Sequence, residues 1–408
     1  MLIKFLRELG AVWRRQKSNW RTVVIRQVFN RFFNQMTIQY SNIYIRELGA
    51  SPVELGAVNS ASGLSGTLIS LPLGYFQDRY SVRKIYLTGV ALLTLVPLLY
   101  AVAYRWEFVT PAILISGLGV HLGSCVVICD LSLPNMDRAT GKALCEGIGA
   151  LPTLFAPTIA AILITWFGGI KTESIRPLYW IQFGARIALF VYVALKLTEI
   201  VRPKRELKTM SAIGDFQDVL QRGTAVKRWL LFLSLNMFTG TMITTFRYPY
   251  AHEMKGADQF IIGGILTAMT LTEAVFSTPL GRLADKMGRK KTFYLITPIF
   301  CLANLLFVFA PSPEYLLVAG LLMGFRMLSM FAYGSMTPEL VPSECIGRWR
   351  GLIGLFTGLV SIAAPIIGGL IWEHLGPGWV FIIPTLIDLF IRLPLLHTVP
   401  ETLKREAT

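Results

Sequence analysis

Long apolar stretches separated by short charged loops constrain this chain more than any other feature. Uncharged or nearly uncharged runs recur along the 408 residues, for example at 85–103, 108–129, 297–313 and 351–372. A run of about 20 apolar residues is long enough to cross a bilayer as an α-helix. Only 15% of the residues are charged and 53% are hydrophobic. This composition excludes a disordered chain and argues against a water-soluble enzyme.

Twelve such runs predict an all-α membrane protein with twelve transmembrane helices. The spans lie at about 22–46, 52–76, 84–103, 108–131, 143–169, 177–198, 228–251, 259–280, 291–310, 315–338, 349–373 and 379–397. With the N-terminus inside, 27 Lys and Arg residues fall on the cytoplasmic side and five on the other. Because cationic loops are retained in the cytoplasm, we expect a multi-pass protein of the plasma or inner membrane with both termini cytoplasmic.

Charge and hydropathy also divide the chain into segments. Residues 1–21 mix basic and apolar side chains and predict an amphipathic segment on the cytoplasmic membrane surface. Residues 199–227 form the longest polar stretch and predict a central cytoplasmic loop. This loop separates a six-helix bundle at 22–198 from a second at 228–397, and 398–408 is a cytoplasmic tail.

The two halves of the chain repeat one another. Gly74 and Asp78 follow the second span as Gly281 and Asp285 follow the eighth, at an offset of 207. The segment Ala-Pro-Thr-Ile-Ala-Ala at 156–161 matches Ala-Pro-Ile-Ile-Gly-Gly at 364–369, at an offset of 208. Duplicated halves around a central site are typical of transporters.

These loops carry a resemblance to a known family. The sequence Gly-Arg-Leu-Ala-Asp-Lys-Met-Gly-Arg-Lys at 281–290 resembles the cytoplasmic loop signature of the major facilitator superfamily, and residues 74–84 resemble its degenerate first copy. The resemblance covers essentially the whole chain. It implies two pseudo-symmetric six-helix bundles and secondary transport by alternating access.

In this family the signature loop is a latch that stabilises the outward-open state. The resemblance implies the same role here, with two small glycines that permit close helix approach and acids that meet a helix dipole or an arginine. The candidate gating residues are Gly74, Asp78, Arg79, Arg83 and Arg138 in the first half and Gly281, Asp285, Lys286, Gly288 and Arg289 in the second. The alternative is that these charges are ordinary cytoplasmic loop charges.

Basic residues inside the spans indicate a polar cavity. The family places spans one, four, seven and ten around that cavity, and these spans carry polar stripes. The candidate substrate-binding residues are Arg31, Asn34, Gln35, His121, Arg247, Glu273, Arg326 and Tyr333. Arg31 and Arg326 fall near the midplane and predict a clamp for a carboxylate, phosphate or sulfate. The alternative is a structural ion pair between Arg326 and Glu273.

The sequence favours a secondary transporter of a small organic solute, with an anion preferred because guanidinium groups outnumber carboxylates in the predicted cavity. There is no nucleotide-binding Gly-rich loop, so we expect passive or ion-driven transport, with His121 or Glu273 as the proton-linked site. Three alternatives stay open: an exporter of amphiphilic or cationic compounds, a receptor that transports nothing, and a membrane enzyme. We expect a monomer whose partners are a small-molecule substrate, protons and the lipid bilayer. We expect no nucleic acid, cofactor or metal.

Overall fold

In the computed structural model the chain folds into helices joined by short loops. The structure describes residues 13, 15–125, 128, 129, 132, 133, 150–199, 223–342 and 346–402, without the side chains at 69–79, 150–151, 330–332, 335 and 346–347. Most of the predicted central loop and of the N-terminal segment lies outside the described residues.

Twelve helices follow one another in this part of the chain. They are α1 (Ser18–Glu47), α2 (Pro52–Arg79), α3 (Val82–Val102), α4 (Thr110–Leu122), α5 (Ala150–Trp166), α6 (Thr172–Lys196), α7 (Thr224–Glu253), α8 (Gln259–Met287), α9 (Arg289–Phe309), α10 (Tyr315–Glu339), α11 (Ile346–His374) and α12 (Trp379–His397). A π-helical turn at Asp388–Arg392 interrupts α12. The predicted all-α membrane fold is confirmed, and the number of described helices agrees with the twelve predicted spans.

Length and hydropathy support a membrane location for most of these helices. Among the described residues, seven helices are long and apolar enough to cross a membrane, namely α3, α6, α7, α8, α9, α11 and α12. Shorter apolar stretches lie at Trp106–Leu122, Pro152–Trp166 and Tyr315–Ser329. Helix α1 is more polar than these, because amide and hydroxyl side chains such as Gln35 and Ser41 line an internal cavity.

The helix packing follows a pseudo-twofold relationship between α1–α6 and α7–α12. Within the first half α1 packs on α5 and α6, and α4 packs on α2 and α3. The second half repeats this arrangement, with α7 on α11 and α12 and α10 on α8 and α9. Between halves, α2 packs on α11 and α5 packs on α8. The repeat seen in the sequence is therefore a repeat of helix contacts.

The turns that follow α1 and α7 are equivalent in the two halves, and each contains a glycine followed by a helix-capping residue. The turns after α1 and α7 contain Gly49 and Gly256, whose φ angles of 93° and 66° favour glycine. The next helix begins at a side-chain cap in both cases. Ser51 accepts a hydrogen bond from the backbone N–H of Glu54, and Asp258 accepts one from Ile261. Both glycines and both capping residues are related by the offset of 207.

Among the described residues, side-chain contacts join the two halves at one face of the bundle. We call the face where α1 and α7 end the far face, and the face where α1 begins and α12 ends the termini face. At the far face Arg46 binds Glu253, with Nε and Oε1 2.7 Å apart. Nearby, Ser60 donates to the carbonyl of Ile362. These contacts close the space between the halves toward the far face.

The fourth span differs from the continuous helix predicted over 108–131. Helix α4 ends at Leu122, and the chain turns at Gly123. A Cβ atom on Gly89 of α3 would lie 2.2 Å from the backbone nitrogen of Gly123, so the two helices touch through their backbones. Arg26 donates a hydrogen bond of 3.3 Å to the Gly123 carbonyl. The buried guanidinium thus satisfies a carbonyl at the helix end.

Candidate functional site

A cavity of about 660 Å³ lies between the two halves near the middle of the bundle. Helices α1 and α2 form one side of it, and α7, α8 and α10 form the other. The lining residues are Gln35, Ile38, Ser41, Asn42, Asn59, Ser62, Asn236, Met237, Gly240, Thr241, Thr244, Thr245, Arg247, Tyr248, Leu266, Met269, Thr270, Glu273, Met323, Arg326, Met327 and Tyr333. This volume suits a small organic molecule.

The wall from the first half is polar. Asn59 donates a hydrogen bond of 3.1 Å to the side-chain oxygen of Asn42, and Asn42 donates one of 2.8 Å to the carbonyl of Thr245 in α7. Gln35 reaches Thr270 of α8 across the cavity, with 3.4 Å between Nε2 and Oγ1. The amides thus join the two halves at the edge of the cavity.

The wall from the second half carries methionines. Met237 of α7, Met269 of α8 and Met323 and Met327 of α10 all line the cavity. Their unbranched thioether side chains are flexible and polarisable, and they adapt to apolar ligands of irregular shape. The wall from the second half therefore offers thioether surface among polar side chains such as Thr270 and Glu273.

Arg326 is held in a buried ionic cluster at the edge of the cavity. Its Nη1 lies 3.0 Å from Oδ2 of Asp388, whose side chain is fully buried, and Nε of Arg392 lies 2.9 Å from the other carboxylate oxygen. Arg326 also donates 2.8 Å hydrogen bonds to the Asn236 carbonyl and to Thr239. The carboxylate partner of Arg326 is thus Asp388 of α12, and the pair with Glu273 offered by the sequence does not form among the described residues.

Aromatic rings complete this cluster. The Phe300 ring lies 5.0 Å from the guanidinium carbon of Arg326 and 5.2 Å from that of Arg392, distances suited to cation–π interaction. Thr239 donates a further hydrogen bond of 3.0 Å to Asp388. These contacts fix Arg326, whose side chain is only 14% exposed. Much of its charge is compensated within the protein.

Arg247 lines the cavity in a different electrostatic setting. The residue is 7% exposed, and its Nη1 lies 3.2 Å from the sulfur of Met269. Its guanidinium carbon is 5.9 Å from the centre of the Tyr248 ring. Its buried Nε has no hydrogen-bond partner, and no carboxylate pairs with it among the described residues. A guanidinium in this state is suited to receive an anionic ligand.

Two further predicted residues line the same cavity. Glu273 of α8 is the one carboxylate among the described lining residues. Tyr333 of α10 lines the cavity beside the ionic cluster, and its ring stacks at 6.4 Å on that of Phe293. With Gln35, Arg247 and Arg326, they are the predicted substrate-binding residues that the structure brings together.

The remaining predicted binding residues lie elsewhere in the first half. Asn34 accepts a hydrogen bond of 3.3 Å from Arg186 of α6. His121 of α4 faces α2, since a Cβ atom on Gly66 would lie 3.2 Å from its Nε2. Arg31 is half-buried on α1 and is not among the lining residues.

The predicted gating residues of the second half lie at the termini face. Arg289, at the start of α9, pairs with Glu339 at the end of α10, with 2.6 Å between Nη1 and Oε1. Asp285 and Lys286 are exposed. A Cβ atom on Gly281 would meet no described atom within 4 Å, so this glycine makes no close contact with the described part of another helix.

Gly288 and Arg83 have structural contacts of their own. Gly288 has φ of 105°, and a Cβ atom there would lie 2.9 Å from Oε2 of Glu401. Arg83 donates a hydrogen bond of 2.9 Å to the carbonyl of Ala194. The remaining predicted gating positions, Gly74, Asp78, Arg79 and Arg138, lie outside the residues whose side chains are described. The latch itself stays a prediction.

Several residues of the site are absent from the sequence prediction. Asp388 is the acid that binds Arg326, although sequence spacing relates it only to Arg392 four residues later. Thr239 and the methionine wall also have no distinctive sequence pattern. One signal in the sequence could have indicated the cluster. Asp388 and Arg392 lie inside the twelfth apolar span and Arg326 inside the tenth, where charged residues are costly unless they have partners.

Comparisons with known proteins agree with this fold. A sequence model described as the Major Facilitator Superfamily matches residues 25–264 and 229–407. The chain is 22% identical over 372 residues to the Multidrug resistance protein MdtG of Enterobacter lignolyticus, covering 87% of this chain and 86% of that protein. It is 23% identical over 402 residues to the Arabinose-proton symporter of Bacillus subtilis, covering 86% of this chain and 85% of that protein.

Solved structures show the same arrangement of helices. The nucleoside transporter NupG superposes with a TM-score of 0.75 at 15% identity, over 93% of this chain and 99% of that chain. A POT family transporter in complex with 5-aminolevulinic acid superposes with a TM-score of 0.73 at 14% identity, over 94% and 96%. Twelve helices in two repeated halves around a central cavity define a secondary transporter of the membrane. The chain belongs to the Major Facilitator Superfamily.

Proposed function

We propose that this transporter moves a small organic anion across the membrane by alternating access, with Arg247 as the group that binds the anion. The observation that carries the proposal is the placement of Arg247, a buried guanidinium on the cavity wall with no carboxylate partner among the described residues. A buried charge of this kind is costly unless a ligand or partner compensates it.

The position of the cavity supports alternating access. Polar residues of α1 and α2 face α7, α8 and α10 across it, so a bound solute contacts both halves. The Arg46–Glu253 pair and the contact of α2 with α11 close the far face. A ligand that binds both halves has different affinities for open and closed arrangements, and that difference drives the conformational change. We place the termini face in the cytoplasm, because the loops there carry most of the Lys and Arg.

Glu273 is the best candidate for coupling to protons. It is a carboxylate on the cavity wall and belongs to the same helix, α8, as Met269. A carboxylate inside a membrane protein typically marks an ion or proton pathway. The Arabinose-proton symporter among the relatives supports this proposal. His121 is less suited, because it faces Gly66 and does not line this cavity.

One alternative has its own support. The relative named Multidrug resistance protein MdtG and the methionine wall favour an exporter of amphiphilic compounds, and Glu273 could then bind a cation. A receptor that transports nothing is the third candidate. The sign of the substrate charge and the presence of flux separate these functions.

Proteoliposomes containing the purified protein test the proposal. We expect saturable uptake of labelled organic anions above the level in protein-free liposomes, and no saturable uptake of organic cations of similar size. Uptake of cations alone would support the exporter instead. Binding of an anion without any flux would support the receptor.

A further inference from the structure

We propose that the substrate is an amphipathic organic anion with a single carboxylate, bound with the carboxylate at Arg247 and its apolar body along the methionine wall. This inference rests on the proposed function, because it narrows the class of anion that the same cavity takes. It depends on two observations, the number of uncompensated charges and the arrangement of the methionines.

The charges in the cavity match one anionic group. Arg326 and Arg392 share the one carboxylate of Asp388, so their cluster keeps one positive charge. Arg247 adds a second positive charge, without a carboxylate partner among the described residues, and Glu273 is the one carboxylate among the described lining residues. At about 1.5 Å per residue, Arg247 lies about 9 Å from the far-face end of α7. Glu273 lies about 21 Å from the far-face end of α8 by the same measure. The charges of these described groups sum to one positive charge, which a single carboxylate neutralises and a dicarboxylate or polyphosphate exceeds.

The four methionines of the wall lie at successive depths in the cavity, beginning near Arg247. Measured along their helices from the far face at about 1.5 Å per residue, Met323 lies at about 12 Å, Met269 at about 15 Å, Met327 at about 18 Å and Met237 at about 24 Å. One of them contacts the guanidinium directly, since the Met269 sulfur lies 3.2 Å from Nη1 of Arg247. An anion bound at Arg247 thus places the remainder of the molecule beside these thioethers, with Thr270, Arg326 and Glu273 on the same wall.

The two methionines farthest from the far face have apolar surface available for a ligand. Met237 is 40% exposed and Met327 is 45% exposed, and both line the cavity. Burying apolar surface contributes about 25 cal/mol per Å², and thioethers make favourable contacts with aromatic rings. A sugar or other hydrophilic solute would leave this surface without a suitable partner. An aromatic or alkyl body would cover it.

Direct binding to the purified full-length protein tests the proposal. The probes are 4-phenylbutyrate, its uncharged analogue 4-phenylbutanol, the hydrophilic monoanion lactate, and the cation tetraphenylphosphonium. We expect 4-phenylbutyrate to bind at least about tenfold more tightly than either 4-phenylbutanol or lactate, because only it satisfies both Arg247 and the methionines. This comparison needs no variant, so it does not depend on a variant folding.

Variants then assign the two contacts. Arg247→Gln should weaken 4-phenylbutyrate about tenfold and leave 4-phenylbutanol unchanged. The double variant Met237→Gln, Met327→Gln should weaken 4-phenylbutyrate several-fold and leave lactate unchanged. The matched controls are Arg105→Gln and Met254→Gln, which change exposed residues outside the cavity and should bind as the wild type does.

The outcomes separate this inference from the proposed function. Equal affinity for lactate and 4-phenylbutyrate, both dependent on Arg247, would overturn the amphipathic substrate and leave anion transport standing. Absence of 4-phenylbutyrate binding, with uptake of other organic anions by liposomes containing the protein, would also overturn the amphipathic substrate and leave anion transport standing. Binding of tetraphenylphosphonium without binding of any anion would overturn both.

Discussion

Arg46 and Glu253 form a bidentate ion pair between the two halves, and they stand 207 positions apart, which is the spacing of the internal repeat. Arg46 Nε lies 2.7 Å from Oε1 of Glu253, and Arg46 Nη2 lies 2.8 Å from Oε2. The ends of α1 and α7 are thus joined at pseudo-equivalent positions. Opposite charges at equivalent sites make a contact that must break if the far face opens.

Loss of the Arg46–Glu253 pair should shift the protein toward a state open at the far face. Exposed or half-exposed pairs contribute up to about 1 kcal/mol, so we expect about a fivefold change in population for Arg46→Gln or Glu253→Gln. A cysteine at Ser41, which lines the cavity, reports the opening through faster labelling by an impermeant thiol reagent from the far side, in a background without native cysteines.

The exchange of both charges provides the control for this prediction. Arg46→Glu combined with Glu253→Arg should return the labelling rate toward the wild-type value, while Arg105→Gln, an exposed change elsewhere in the chain, should not alter it. Equal labelling rates in the wild type and both single variants would show that the pair does not hold the far face closed.

Gly56 should be required for closure of the far face. A Cβ atom there would lie 2.3 Å from the carbonyl oxygen of Pro365 in α11. Gly56→Ala should therefore separate α2 from α11 and lower the stability by about 1–3 kcal/mol, with lower transport. Gly184→Ala is the matched control, since a Cβ on that helical glycine meets nothing within 4 Å. Equal melting temperatures and fluxes in the two variants would contradict the prediction.

The buried cluster of Arg326, Asp388 and Arg392 predicts which substitution lowers the stability of the protein most. Asp388→Leu leaves Arg326 and Arg392 without their shared carboxylate and should cost about 3–5 kcal/mol. Arg326→Leu leaves a balanced pair of Asp388 and Arg392, so it should cost clearly less. Melting temperatures of the purified variants measure the order. If Arg326→Leu were the less stable variant, the account of the cluster would be wrong.

Glu273→Gln should uncouple transport from the proton gradient. The amide fills the same space and cannot exchange a proton, so solute exchange across the membrane should persist while accumulation driven by an imposed pH gradient is lost. Glu314→Gln changes an exposed residue in the loop before α10 and serves as the control. Normal accumulation in proteoliposomes containing Glu273→Gln would exclude this residue as the coupling site.

The fold was predictable from sequence because each span must satisfy its backbone within a helix and bury apolar side chains in lipid. The same rule could not predict the end of α4 at Leu122. That break depends on the contact of Gly123 with Gly89 and on the hydrogen bond from Arg26, residues distant in sequence. Local patterns carry no information about such contacts.

The site was predictable only in part, for a related reason. Polar stripes on α1, α7 and α10 indicate which faces line a cavity, and Gln35, Arg247 and Tyr333 do line it. Partnership between charges depends on the packing of helices, so the spacing of residues could not assign Asp388 to Arg326 across 62 positions. Arg31 and Arg326 have similar predicted depths, yet only Arg326 lines this cavity.

Uptake of a labelled organic anion by proteoliposomes containing wild type, Arg247→Lys or Arg247→Gln tests the central claim most directly. Lys keeps the charge but loses the planar fork that binds a carboxylate. The account predicts saturable uptake in the wild type, a raised KM with Arg247→Lys, and loss of saturable uptake with Arg247→Gln at a similar melting temperature. Saturable uptake by Arg247→Gln with the wild-type KM would contradict it.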